Sequence, residues 1–163
     1  MPYSTNPMTE NYTPTEELPQ HLEHRPVYAL PYEHFDGIYI GDTDTQYISI
    51  GLAQYDSDHV SIKAMRHTGR KWTRLAEELP LHRLVDMTLF LAKVLFDTRN
   101  GNVDIPAGTF LNQDSNISVT QENRSYGEMA SYHAFLSAHL QLLKQRFSVL
   151  ADLLDELRES GKI

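Results

Sequence analysis

The chain has 163 residues, with 14 Lys+Arg against 22 Asp+Glu, a formal net charge of −8 and no cysteine. That length suffices for one domain with its own core, and the missing cysteine excludes disulfides, thiolate metal sites, iron–sulfur clusters and cysteine nucleophiles. The acidic balance opposes general affinity for nucleic acid or an anionic membrane, so any such binding has to be local.

Residues 1–26 read as a flexible leader. Pro2, Pro7, Pro14, Pro19 and Pro26 sit among Thr, Asn, Glu and His with little apolar content, too little to fold alone. No secretory signal is read there, and no apolar run reaches transmembrane length. The expected compartment is the cytoplasm, which the absence of cysteine fits.

Residues 27–163 read as a single α+β domain. Residues 27–32 are apolar but interrupted by Pro31, and 37–41 are a short strand candidate. Asp42 to Thr45 supply turn chemistry. Residues 47–55 alternate as a strand, with Ile48, Ile50 and Leu52 on one face. A turn at 56–59 leads to a second strand over 60–67. Val60, Ile62 and Ala64 are expected on its core face, with Ser61, Lys63, Met65 and His67 opposite. Thr68, Gly69 and Arg70 turn the chain, and 71–74 start a third strand, completing an antiparallel meander.

Pro80 then opens a helix that runs to about Phe96. Its apolar residues cover most of the circumference, so it is expected to be central and buried. Asn100-Gly101 stops it. Residues 109–111 and 117–120 are short strand candidates. Ser125 and Glu128 form a capping box, and a second helix spans 126–159. Its length, about 50 Å at 1.5 Å per residue, exceeds what a small domain covers. Leu136, Leu143, Leu150 and Leu157 recur every seven residues, beside Leu140, Phe147 and Leu154. The N-terminal half is expected to pack on its own domain. Leu143, Phe147, Leu150, Leu154 and Leu157 are the candidate seam with a second copy.

The charge pattern names the candidate binding surface. Five of the 14 basic residues and none of the 22 acidic ones fall in 59–74, leaving nine against 22 elsewhere. One stretch is therefore +5 and the remainder −13, which concentrates a positive field. Lys63, Arg66, His67, Arg70, Lys71, Trp72 and Arg74 are the candidate binding residues. With Tyr47 and Tyr55 they could hold single-stranded nucleic acid by charge and stacking. The plainer reading, weighed ahead of nucleic acid, is a solvated sheet face that discourages edge pairing, its arginines pairing with carboxylates elsewhere; docking an acidic protein is a further one.

No catalytic residue is nominated. There is no phosphate-binding glycine loop, nucleophile elbow or His-Glu-x-x-His. His82 and Asp86 are i, i+4 neighbours, which more often marks a helix-surface hydrogen bond than a general base. No metal or other cofactor is expected. His21 and His24 lie in the leader without preformed geometry. His133 and His139 point to different sides of a helix. Asp42, Asp44, Asp56 and Asp58 lack an EF-hand's glycine and terminal glutamate.

Residues 48–91, on the strength of "RHTGRKW" followed by "EELPLHR", resemble an uncharacterised bacterial domain family of unknown function. That resemblance implies no activity. The strand–strand–strand–helix order is similar to the single-strand-binding coactivator and Whirly folds, in element order alone. The expected function is a non-enzymatic protein-binding domain of adaptor or toxin-neutralising type, homodimeric, with a basic β-surface at 59–74. A single-stranded nucleic-acid binder is the alternative, and a small enzyme stands third. The expected partners are a second copy and another protein, with nucleic acid possible and no membrane.

Overall fold

The computed structural model describes residues 12–74 and 77–163. The fold is α+β, and the chain divides into two compact units, residues 1–87 and 88–163.

In the first unit four strands form an antiparallel sheet in the order β1-β2-β3-β4. They are β1 (Arg25–Pro31), β2 (Thr45–Leu52), β3 (Val60–Arg66) and β4 (Glu78–Pro80). Each strand pairs with its chain neighbour, so this is a meander. Two assignments move. Residues 37–39 form a 3₁₀ turn, not a strand. The fourth strand is 78–80 and not 71–74: Trp72 makes only an isolated bridge to His67, and 68–71 are the turn, closed by Thr68 N–H donating to the Lys71 carbonyl. Gly51 lets β1 pass close to β2. A β-carbon there would stand 1.9 Å from the Arg25 carbonyl oxygen, beside the register shift between Pro26 and Tyr28.

The covered face of this sheet is the reverse of the expected one. Tyr47, Ser49 and Gly51 of β2 are buried, as are Ser61, Lys63 and Met65 of β3. The apolar set is the open one: Ile50 is 40% exposed and Val60 46%, and Ile48, Ile62 and Ala64 are half-buried. Tyr28 and Leu30 of β1 face Ile50 and Ile48 in register and are themselves exposed. The cause lies in the segment read as a leader. Residues 12–24 lie over the polar face, where Leu22 joins Tyr47 and Met65 in the core and Leu18, Ala29 and Trp72 pack around them. His24 is buried there too. The flexible-leader reading is therefore corrected for 12–26, while residues 1–11 lie outside the described ones.

Helix α1 (Leu81–Phe96) crosses the division between the units. It has no buried residue, and Val85 and Met87 are exposed, so it is not the central buried helix expected. In the second unit a positive-φ pair, Asn100 and Gly101, turns the chain into β5 (Asn102–Ile105). That strand pairs antiparallel with β6 (Ile117–Thr120). Val103 and Ile105 are buried, whereas 109–111 are turn. Helix α2 (Tyr126–Glu159) has the expected bounds and both halves of the capping box. It too has no buried residue. Phe147 meets Phe96 edge to face at 5.4 Å between ring centroids.

Candidate functional site

Antiparallel register sets Lys63 opposite Glu78 and Ser49 opposite Lys63. These neighbours therefore share the face that residues 12–24 cover. Along β3, Ser61 sits two positions from Lys63 and points the same way. His24 descends onto this group. Its Nδ1 lies 3.0 Å from Glu78 Oε1 and its Nε2 2.9 Å from Ser49 Oγ. A carboxylate can only accept, so in the neutral ring Nδ1 carries the proton and Nε2 accepts from the Ser49 hydroxyl. Ser61 Oγ donates to the same Glu78 oxygen at 2.6 Å, and the Gln54 N–H donates to it at 2.9 Å. Burial alone would raise the Glu78 carboxyl. The bonds from Ser61, Gln54 and His24 outweigh it and hold the group below the ordinary carboxylate range. Glu78 Oε2 is buried and, among the described residues, meets no hydrogen-bond donor.

A serine on Nε2 and a carboxylate on Nδ1 is the connectivity of a hydrolytic triad. Ser49 and Ser61 are both 0% exposed, so neither hydroxyl is open to solvent.

The basic island divides into an internal and an open part. Lys63 is only 1% exposed, and its Nζ donates to the Arg74 carbonyl at 3.3 Å. Burial pushes its ammonium below the ordinary lysine value, and the charges of Glu78 and Glu77 partly offset this. Arg66 forms a two-pronged bond to Asp44, through Nε at 2.8 Å and Nη2 at 3.1 Å, and also meets Glu77. These two cations are consumed inside the unit, and Lys63 belongs to the buried face. Tyr47 is likewise buried, and its hydroxyl donates to the Glu16 carbonyl, so it offers no stacking surface.

The remainder come together. His67, Arg70, Lys71, Trp72, Thr73 and Arg74 line one cleft of about 1050 Å³, with His21 and Leu22 of the segment 12–24 as its other wall. The His67 and Trp72 rings pack edge to face at 5.1 Å, and His67 Nδ1 lies 3.5 Å from a Glu16 carboxylate oxygen. Arg70, Lys71 and Arg74 are exposed, and among the described residues no carboxylate pairs with them. His21 and Leu22 were missed as wall residues, because nothing periodic in 12–24 announces that it folds back.

In α2, Leu143, Phe147, Leu150 and Leu157 are half-buried and Leu154 is exposed. Val149 and Leu153 beside them are exposed as well.

Among the described residues no cluster of three or more His, Asp or Glu is placed to hold a metal, and no helix is long and apolar enough to cross a membrane. His24 is committed to Glu78 and Ser49, and Asp44 to Arg66. No curated protein and no solved structure matches the chain. A family model does match, across residues 16–159, reaching back over the segment that carries Leu18, Leu22 and His24. The chain belongs to that family, DUF6530, a family of unknown function.

Proposed function

We propose that this protein is a non-enzymatic protein-binding domain that receives an acidic segment of its partner in the cationic cleft and works as a homodimer joined through α2. The observation that supports the first part most is the trio Arg70, Lys71 and Arg74, exposed and without ion pairs among the described residues, around Trp72 in one cleft. In a chain of net charge −8, a cluster of cations without carboxylate partners attracts and steers a negatively charged partner. Trp and Arg are also the side chains that most often carry interface energy. The homodimer is supported by α2, a helix of 34 residues with no buried position and an apolar row along its C-terminal half. A bacterial, cytoplasmic setting belongs to the same reading; the absence of cysteine fits a reducing compartment.

Trp72 beside Arg70 and Lys71 also suits a stacked single strand. The −13 of the chain outside the basic stretch repels a polyanion that extends past the cleft, whereas a folded partner can confine its contact to it. Co-purification decides between them. Tagged native protein should bring down an acidic protein and no nucleic acid, and Arg70→Glu with Lys71→Glu should release it. Nucleic acid retained by the native protein and lost from that variant would reverse the two readings.

A further inference from the structure

A second, smaller pocket adjoins the cleft. It encloses about 300 Å³ and is lined by Leu22, Glu23, His24, Gln54, Tyr55, Lys63 and Arg74. Leu22 and Arg74 line the cleft as well, so the two cavities share a wall. The buried network stands behind it: Glu78 takes donors from His24 and from the Gln54 backbone, both residues of this lining. The pocket wall thus contains an ammonium, that of Lys63, with almost no exposure to water.

We propose that this pocket is a carboxylate-anchor subsite of the cleft: a partner segment lying against Trp72 places one Asp, Glu or C-terminal carboxylate on the Arg74 guanidinium, within the field of the buried Lys63 ammonium. The proposal rests on the acidic-partner reading and adds which part of the partner is read. Its size fits one short side chain and not a folded element. Four carboxylates bear on it: Glu16, 3.5 Å from His67 in the cleft, Glu77, which is paired with Arg66, Glu23 and Glu78. Glu23 is exposed and solvated, so its field is screened. Glu78 is matched across the strands by Lys63 and has His24, Ser61 and Gln54 on Oε1. With Glu77 answered by Arg66 and Glu78 by Lys63, the cations Arg70, Lys71 and Arg74 stand against Glu16 and Glu23, which leaves the joined cavities cationic. Arg74 lines both cavities and Arg70 only the cleft, so a carboxylate seated in the smaller pocket makes its charged hydrogen bond to Arg74, and Arg74 should matter more than Arg70 although both are exposed. Burial depresses the proton affinity of Lys63, and an arriving carboxylate raises it again, which gives Lys63 a spectroscopic signature.

The test is a titration of the full chain with hexaglutamate, with hexaglutamine as control. Binding is read through Trp72 fluorescence, and the side-chain Cε–Hε resonances of Lys63 are followed by NMR on ¹³C-lysine-labelled protein. Hexaglutamate should bind, Arg74→Gln should weaken it about tenfold, Arg70→Gln should weaken it about twofold, and the Lys63 resonances should move on saturation. Since Arg74 is exposed, its variant keeps the fold. If hexaglutamate binds with Arg74→Gln no worse than Arg70→Gln and with Lys63 unmoved, the anchor is wrong and the cleft reading stands. If hexaglutamate does not bind native protein at all, both fail together.

Discussion

Glu78 is the residue on which the sheet's covered face turns. It holds His24 and Ser61 and closes the Gln54 backbone, so its replacement strands several buried polar groups at once. Glu78→Gln should cost about 1–3 kcal/mol in urea unfolding. The sign with pH follows from its depressed carboxyl. The folded state binds a proton there less readily than the unfolded chain, so Glu78 contributes stability above the ordinary glutamate value. That contribution is lost as pH falls through the lower folded value. Native protein should therefore lose stability across that acid window more steeply than Glu78→Gln, and parallel curves would remove the network from the account. Gly51 gives a second test at this scale. A methyl group 1.9 Å from the Arg25 carbonyl oxygen forces β1 away from β2, so Gly51→Ala should destabilise by about 1–3 kcal/mol. An unchanged urea midpoint would mean that β1 does not lie as described.

At the level of elements, residues 12–24 behave as part of the fold. Leu22 fills the core and His24 is bonded from both ring nitrogens. A chain beginning at residue 25 should melt lower by more than about 5 °C, the shift that roughly 1 kcal/mol produces in a domain of this size or smaller. An equal melting temperature would restore the flexible-leader reading. This segment also explains what the sequence concealed. The alternation in β2 and β3 marks two faces, and apolar content points to Ile48, Ile50 and Leu52 as the core side. Which face is covered, however, is set by a distant segment with no periodicity of its own. The placement of Lys63 was lost for the same reason. The bounds of α2, by contrast, were legible because Ser125 and Glu128 mark its start by a local hydrogen-bond exchange that no remote contact can alter. The cleft was half legible: 66–74 displays its cations in a row, while Asp44, Glu77 and Glu78, which claim Arg66 and surround Lys63, lie outside that row. Strand β5 was missed, although Val103 and Ile105 alternate directly after the Asn100-Gly101 turn.

At the scale of the whole molecule the proposed function needs two surfaces, a seam along α2 and the cationic cleft in the first unit. Apolar rows at seven-residue spacing hold helices together when a second helix supplies the facing row. Leu150→Glu with Leu154→Glu should therefore convert a dimer to monomers in light scattering while leaving the sheet's urea midpoint unchanged. A native mass of one chain at micromolar concentration would end the dimer reading. The cleft is tested most directly by a salt series on the native protein, comparing hexaglutamate with an oligothymidylate through Trp72 fluorescence. Hexaglutamate should bind, its affinity should fall with salt, and at physiological ionic strength the oligothymidylate should bind more weakly. Tight oligothymidylate binding with the steep salt dependence of phosphate neutralisation, and none by hexaglutamate, would contradict the acidic-partner reading.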